Sequence, residues 1–266
     1  MRQALSGRLP RPFLAVATIL SAACHGAPAL APPAVPPPLA AALQLVVVTT
    51  PDWDSTDGEL RRFVRADAAA PWRRDGAAIP IVIGRTGLAW GVGFDGFAAP
   101  GPASEGPRKR EGDGRSPAGV FPLGPAFGFP PADSARWVHL PYLPIVPTTE
   151  CVDDTASVHY NGVVDRSEVA HVDWQSAERM RQIEQYRLGV VVGYNTAPVK
   201  ARGSCIFLHI WAGPHSTTSG CTALAAGELA RLVAWLDPQA RPVILQLPVA
   251  TYARLRAGWL LPDPDL

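Results

Sequence analysis

A cysteine and a histidine late in the sequence have the side chains and the spacing of a nucleophile and its general base. Cys221 precedes a predicted helix, and His209 lies twelve residues upstream in a strand-like run at residues 205–211. An imidazole that takes the thiol proton makes the sulfur a nucleophile. Gly220 lets backbone N–H groups approach a reacting carbonyl closely, as an oxyanion site requires. The same spacing also fits a small buried cysteine and a hydrogen-bonded core histidine, so spacing alone does not distinguish a catalytic pair from two structural residues.

Short strands and two helices are the elements that must position these side chains. Apolar and β-branched runs bounded by Gly and Pro predict strands at residues 43–50, 79–84, 88–94, 119–123, 138–142, 189–194, 205–211 and 243–247. One helix is predicted at 173–186, where apolar residues recur every three positions, Asp173 can cap the start and Gly189 follows the end. A second helix is predicted at about 224–236. Because it begins just after Cys221, we expect its dipole to lower the pKa of that thiol.

The composition predicts a folded chain that is mainly β with two helices (α+β). Of its 266 residues, 47% are hydrophobic and 18% charged, which excludes disorder over the whole length. The 24 Gly and 29 Pro favour turns and short strands over a helical bundle. A net charge of +1 without a long basic run does not favour a nucleic-acid binder. We expect one domain at residues 43–248, an exposed loop at 98–114 within it, and a C-terminal tail at 249–266.

The N-terminal residues have the features of a targeting segment and a spacer. Three arginines precede an apolar stretch at 13–23, which is shorter than the ~20 residues a membrane span needs and fits a signal-peptide core. We expect a signal peptide at 1–23 and an Ala/Pro-rich linker at 24–42. The sequence SAAC ending at Cys24 resembles a bacterial lipobox and predicts a membrane tether, whereas cleavage before Leu30 would release a soluble chain. Both alternatives place the protein in the periplasm or cell envelope.

Two motifs resemble the signature of the YkuD-like L,D-transpeptidase catalytic domain. The first, His209 followed by a spacer and Thr218-x-Gly220-Cys221, is similar to the family's His, spacer, Ser/Thr-His-Gly-Cys pattern. The second, GDGRSPAGVF at residues 112–121, is similar to the TPxGxF segment beside the family's catalytic strands. The resemblance covers roughly residues 43–248. It implies a β-sandwich-like fold in which strand, loop, cysteine and helix follow one another at the active site.

The resemblance also implies an acyl transfer on peptidoglycan stem peptides without a cofactor. Cys221 would attack the carbonyl at the L-centre of a diaminopimelate–D-Ala bond, with His209 as base, and D-Ala would leave. An amine of a neighbouring stem, or water, would resolve the thioester. Backbone N–H groups of Gly220 and Cys221 would bind the oxyanion. The other residues expected at the oxyanion or substrate site are Thr218, Ser219, His215, Tyr160 and Asn161; for the last three, an exposed polar loop residue is the alternative.

Three positions depart from the family pattern. Ser219 stands in place of the second His, Thr222 in place of a hydrophobic residue, and Ala223 in place of Arg or Asn. The spacer between His209 and Cys221 is also shorter than is usual in the family. The missing Arg or Asn changes how substrate is oriented but leaves nucleophile and base in place. The departures keep two alternatives open: a carboxypeptidase that hydrolyses the same substrates, and a non-catalytic protein that binds cell wall.

A zinc peptidase is the competing enzyme class. Residues 157–165, with Ser157, His159 and Asp165, together with Glu168-Val-Ala-His171, are similar to the SxHxxGxxxD and ExxH motifs of zinc D,D-peptidases. However, the Asp falls one position early, and only two residues separate it from the Glu. Because metal ligands converge from separate elements of a fold, we predict no metal site here.

Counting the four cysteines predicts a disulfide between Cys151 and Cys205. If Cys24 is lipidated or cleaved away, three thiols remain in an oxidising compartment, where an odd number invites mispairing. The catalytic role requires a free Cys221, so the other two form the natural pair. The bridge would fix the strand that carries His209. The alternative is two buried, unpaired cysteines.

Overall fold

The structure, a computed structural model, describes residues 35–92 and 105–263. The predicted signal peptide, Cys24 and most of the linker lie outside these residues. The strands are β1 Gln44–Thr50, β2 Asp57–Val64, β3 Arg73–Arg74, β4 Ile79–Val82, β5 Leu88–Trp90, β6 Ser116–Gly128, β7 Tyr142–Pro144, β8 Thr149–Val152, β9 Val163–Asp165, β10 Ala177–Arg179, β11 Leu188–Val192, β12 Phe207–Ile210, β13 Thr222–Leu224 and β14 Val243–Pro248. The α-helices are α1 Pro37–Ala41, α2 Ala226–Trp235 and α3 Val249–Trp259. The mainly β prediction is confirmed, although the described residues contain three α-helices where the sequence predicted two.

Eight of the strands pair in a closed ring. The order is β1-β14-β6-β11-β12-β13-β4-β2, and β2 pairs back with β1. Two neighbours, β1 with β14 and β12 with β13, run parallel, and the other pairs in the ring are antiparallel. Closure satisfies the backbone hydrogen bonds that an open sheet leaves at its edges. The observed architecture is therefore a closed eight-stranded barrel, which does not confirm the sandwich-like arrangement that the resemblance implies.

The apolar core explains why the ends of the described chain are folded. Every residue of β1 is buried, and α2 covers the barrel with Leu229, Leu232 and Val233. Residues 249–266 were expected to form a tail, but α3 occupies most of them and buries Tyr252 and Trp259 in the same core. The folded unit therefore extends beyond the predicted boundary at 248.

The last residues of the predicted linker also belong to the folded unit. Leu39 of α1 is only 1% exposed. The buried guanidinium of Arg65 donates to the carbonyl oxygens of Leu39, Ala40 and Ala42 at 2.7–2.9 Å. It also stacks on Trp72, with the guanidinium carbon 4.3 Å from the ring centroid. This anchoring gives a short Pro-rich segment a fixed conformation that composition alone does not predict.

The helix predicted at 173–186 is wrong. This segment contains strand β10 and two 3-10 turns, Met180–Gln182 and Glu184–Arg187. An apolar repeat of three residues matches the 3-10 period better than the 3.6-residue period of an α-helix. Instead of capping a helix, the Asp173 carboxylate accepts hydrogen bonds from the Ser157 hydroxyl at 2.6 Å and the Val158 N–H at 2.9 Å. Pairing of β10 with β8 then overrides helix propensity.

A small second sheet, β10-β8-β9, is bonded covalently to the barrel. The bond is the predicted disulfide between Cys151 of β8 and Cys205, whose Cα atoms are 6.0 Å apart. Cys205 has a left-handed backbone (φ 55°), and its N–H donates to Asn161 at 2.9 Å. Glu178 lies opposite Cys151 in the β10–β8 ladder. The disulfide therefore fixes the position of Glu178 relative to the start of β12.

The loop and two of the predicted strands also differ from expectation. The part of the 98–114 loop that the structure describes is irregular but not fully exposed, because Lys109 is 3% exposed and its ammonium pairs with Asp113 at 2.6 Å. The strand predicted at 138–142 begins only at Tyr142, and the one predicted at 205–211 begins at Phe207. No helix among residues 35–92 and 105–263 combines the length and apolarity needed to cross a membrane.

Candidate active site

The parallel ladder between β12 and β13 brings the predicted nucleophile and base to one face of the barrel wall. His209 lies opposite Ala223, and Leu208 lies opposite Thr222. Continuing this register places Cys221 beside Phe207, whose N–H donates to the Cys221 Sγ at 3.3 Å. Residues two apart on a strand share a face, so the Cys221 and His209 side chains point the same way. Both line one cavity of about 480 Å³.

Burial, rather than a helix dipole, controls the Cys221 thiol. The residue is 6% exposed and forms no disulfide. Burial, followed by the negative charge of Glu178, raises the pKa of Cys221 to about 12. The expected lowering of the pKa is wrong because β13 separates Cys221 from the first turn of α2, and a helix dipole acts over roughly the first turn only. The order at the site is thus strand, loop, cysteine, strand and helix.

His209 is held as a neutral imidazole. It is 8% exposed, and burial lowers its pKa to about 4. Its Nδ1 lies 2.8 Å from the Ile210 carbonyl oxygen. Since a carbonyl only accepts, Nδ1 carries the proton and Nε2 retains a lone pair. The ring also packs edge-on against Tyr186, with 5.2 Å between centroids. This is the protonation state that a general base requires at neutral pH.

The turn before Cys221 is fixed by two hydroxyl groups. Both Thr218 Oγ1 and Ser116 Oγ donate to the Cys221 carbonyl oxygen, at 2.7 and 2.9 Å. Ser116 belongs to the TPxGxF-like segment, so that segment contacts the cysteine backbone directly. Gly220 adopts φ 152°, and its N–H donates to Thr218 Oγ1 at 3.1 Å. Gly220 can act as an oxyanion donor only by exchanging this bond for one to the substrate.

The structure accommodates the departures from the family pattern. The Thr222 hydroxyl is buried at 1% exposure but donates to Gln246 Oε1, and Gln246 Nε2 donates to the Pro117 carbonyl at 2.9 Å. A polar chain thus replaces the hydrophobic contact. Ala223 is fully buried beside His209. Ser219 faces the cavity rim, where its hydroxyl accepts from the Arg85 guanidinium at 3.3 Å.

Three of the predicted substrate residues do not line the cavity. The side chain of His215 is 82% exposed, and its Nδ1 lies 3.0 Å from an Asp57 carboxylate oxygen. Tyr160 does not face the cavity itself, but its hydroxyl donates a hydrogen bond to Glu111, which does. Asn161 holds the backbone at Cys205 and donates its amide to the Tyr194 carbonyl at 2.9 Å. Their positions indicate surface or supporting roles.

Charged and polar side chains that sequence reasoning missed complete the cavity. They come from four separate segments and include Arg85, Lys109, Glu111, Asp153, Glu178 and Tyr186. The Tyr186 hydroxyl donates to Glu178 Oε2 at 2.6 Å, and Tyr186 lines the same cavity as Cys221. Tyr186 is the last residue of the three-residue apolar repeat that predicted a helix at 173–186. No local spacing connects these residues, because only the tertiary fold brings them together.

The residues of the zinc-peptidase alternative do not converge. Ser157 bonds Asp173, the His159 ring packs on Trp174 with 5.4 Å between centroids, and Asp165 accepts from Ser167 at 2.6 Å. Within the part of the chain that the structure describes, no group of three or more His, Cys, Asp or Glu side chains is arranged to hold a metal ion.

Comparison with known proteins adds no relative to these observations. No family model, curated protein or solved structure matches the chain. The functional assignment therefore depends on the residues of the cavity and on the two sequence motifs.

Proposed function

We propose that this protein is an exported cysteine acyltransferase that acts on peptidoglycan stem peptides as an L,D-transpeptidase. The observation that carries the proposal is a free thiol and a neutral imidazole lining one cavity, while the other two cysteines of the described chain are bonded to each other. A disulfide is typical of proteins in oxidising compartments, which is where the substrate lies. The family resemblance behind this proposal also implies a sandwich-like fold.

In the proposed reaction, His209 Nε2 takes the thiol proton as the sulfur of Cys221 attacks the carbonyl at the L-centre. The tetrahedral oxyanion is bound by backbone N–H groups near Gly220. The imidazolium then returns the proton to the leaving amine of D-Ala, and a thioester remains. An acceptor amine attacks the thioester and restores the thiol. If water attacks instead, the product is that of an L,D-carboxypeptidase.

The test uses purified disaccharide-tetrapeptides, with mass spectrometry of the products. Cross-linked dimers or amine-exchange products indicate transfer, and tripeptides indicate hydrolysis. Cys221→Ala should abolish both, and His209→Ala should slow them by a factor on the order of 10² to 10⁴. His215→Ala is the matched control, because that exposed histidine does not line the cavity. Cross-linking by Cys221→Ala would show that the nucleophile is assigned wrongly.

Two further measurements separate the remaining alternatives. A carbapenem should acylate Cys221 and add its mass to the wild type but not to Cys221→Ala. A cell-wall-binding protein without catalysis would bind peptidoglycan and stay unlabelled. Zinc in stoichiometric amount in the purified protein would favour the peptidase class instead.

The proposed export has its own test. The intact mass of the protein from envelope fractions should correspond either to a chain starting at an acylated Cys24 or to one starting at Leu30. A full-length cytoplasmic species that retains Met1 would contradict both.

A further inference from the structure

A buried carboxyl group is connected to the nucleophile through one tyrosine. Glu178 Oε2 accepts a hydrogen bond of 2.6 Å from the Tyr186 hydroxyl, and the Tyr186 ring packs against Phe207, whose N–H donates to the Cys221 Sγ at 3.3 Å. The side chains of Glu178, Tyr186 and Cys221 line the cavity. The Tyr186 ring is fixed by edge-on packing against Phe127 and Phe207, at 5.7 and 5.4 Å between centroids. This packing therefore holds the Tyr186 hydroxyl at Glu178, in the cavity that Cys221 also lines.

The position of Glu178 is set by the second sheet. Glu178 lies opposite Cys151 in the β8–β10 ladder, and Cys151 is bonded to Cys205. The Cys221 thiol in turn donates to the Cys205 carbonyl oxygen at 3.4 Å. The disulfide thus connects the strand that carries the carboxyl group to the segment that contacts the thiol.

The other ionisable groups near this chain of residues have partners of their own. They come from the 105–115 loop, from the segment after β8 and from β12, and are Lys109, Glu111, Asp153 and His209. Lys109 pairs with Asp113, and Glu111 accepts from Tyr160 and from Ser204. The Asp153 carboxylate accepts from the Ser176 hydroxyl at 2.5 Å. None of these contacts uses the Tyr186 hydroxyl or the Glu178 Oε2 atom.

We propose that Glu178 is a second acceptor for the thiol proton, reached through the Tyr186 hydroxyl, and that Cys221 and Glu178 share one proton. In this step the thiol leaves its hydrogen bond to the Cys205 carbonyl oxygen and turns to Tyr186, and the S–H bond of Cys221 breaks as a new O–H bond forms on the Tyr186 oxygen. The original Tyr186 proton moves at the same time to Glu178 Oε2. The products are a thiolate, an unchanged neutral tyrosine and a carboxylic acid.

The charge balance of the cavity favours this acceptor. Transfer to His209 creates two charges from two neutral groups, which burial opposes. Transfer to Glu178 moves one negative charge from carboxylate to sulfur and creates no new charge. Burial raises the Glu178 pKa to about 7, closer to that of the buried thiol than the value of about 4 for His209. Glu178 is a positioning residue because it acts through Tyr186. A proton held by Glu178 returns through the Tyr186 hydroxyl to the leaving amine, whereas a proton taken by His209 returns directly from its Nε2.

This proposal rests on the part of the proposed function that makes Cys221 the nucleophile. Its test measures the rate of Cys221 alkylation by iodoacetamide between pH 5 and 10, which requires neither peptide recognition nor acyl transfer. We expect the wild-type rate to rise with ionisation of Glu178 and level off above an inflection near pH 7. Glu178→Gln and Tyr186→Phe should each remove the inflection and lower the rate at pH 8 on the order of 10²-fold.

Three controls keep the outcome decisive. Glu184→Gln changes an exposed carboxylate in the neighbouring 3-10 turn that pairs with Arg187, and should leave the profile unchanged. Glu178→Asp retains a carboxyl group and should retain the inflection at a lower alkylation rate. If Glu178→Gln does not fold, this variant tests the role of the carboxyl group instead. The double variant Glu178→Gln/Tyr186→Phe should be no slower than either single variant, because both interrupt one path.

Two results would overturn the proposed proton transfer to Glu178. If Glu178 acts only through its charge, Glu178→Gln lowers the pKa of the thiol and alkylation at pH 8 becomes faster, which overturns the proposal. An unchanged profile in Tyr186→Phe overturns it as well. A pH 7 inflection in a protein that performs no acyl transfer on stem peptides upholds the proton path and refutes only the proposed function.

Discussion

Removing the disulfide between Cys151 and Cys205 should destabilise the protein by about 4 kcal/mol. The two cysteines are 54 residues apart in sequence. In the chain-entropy model, closing a loop of that length restricts the unfolded chain by ~14 cal/mol/K, or about 4 kcal/mol at 25 °C. For a chain of this size, that corresponds to a fall in the unfolding midpoint of roughly 8–16 °C.

The assay is denaturant unfolding of the oxidised wild type, the reduced wild type and Cys151→Ala/Cys205→Ala. Reduction removes no heavy side-chain atom, so it separates the loop effect from the cavity left by the double substitution. Cys221→Ala is the control, because it removes a buried thiol but leaves the bridge. Alkylation of the denatured protein should modify one thiol without reductant and three with it, in a mature soluble form.

Two results would refute this reasoning. Three modified thiols in the unreduced protein would show that the bridge is absent. A difference below about 1 kcal/mol between oxidised and reduced protein would show that the small sheet stays in place without the bridge, contrary to the chain-entropy estimate.

Further outcomes follow from buried polar groups. Burial raises the pKa of Glu178 from 4.5 to about 7, so this carboxyl group ionises at lower pH in the unfolded chain than in the folded one, and about 3 kcal/mol of stability is lost as the pH rises through that window. In urea unfolding, the stability of Glu178→Gln relative to the wild type should therefore increase from pH 4 to pH 8. A constant difference would contradict the raised pKa. Thr222→Val leaves the buried Gln246 without its donor and should cost about 1–3 kcal/mol, whereas Thr222→Val combined with Gln246→Leu should cost less than the single change. Arg65→Met removes the donor to three carbonyls around α1 and should cost about 1.5–3 kcal/mol. It should also speed proteolysis near residues 37–42, and cleavage at the wild-type rate would argue against the anchoring role.

The sequence was sufficient to predict the residues of the site that lie close together along the chain. His209 lies in β12 and Cys221 directly precedes the parallel strand β13, so the short connection between them limits how far apart they can lie. The disulfide was predictable because the free nucleophile left only one pair. α2 was predictable because its apolar stripe has the true helical period and Leu229, Leu232 and Val233 all reach the core.

Residues brought together from distant segments were not predictable in this way. Glu178 and Tyr186 lie in a segment whose apolar repeat suggested a helix, and pairing with β8 decides its conformation instead. The prediction of a lowered pKa for Cys221 is wrong for a related reason. A three-residue strand, β13, intervenes before α2, and burial of the thiol outweighs any dipole. Both errors come from tertiary contacts that a local pattern does not encode.

The parallel pairing of β1 with β14 has a consequence for how the chain is made. Residues 44–50 leave the ribosome early, but their neighbours at 243–248 emerge after every other strand of the ring. Until β14 has been made, β1 and β6 each lack one neighbouring strand, so the barrel of the nascent chain cannot close. A chain that stays open during synthesis can still pass through a translocation channel in extended form. Topology alone would thus delay closure of the ring until residues 243–248 have been made.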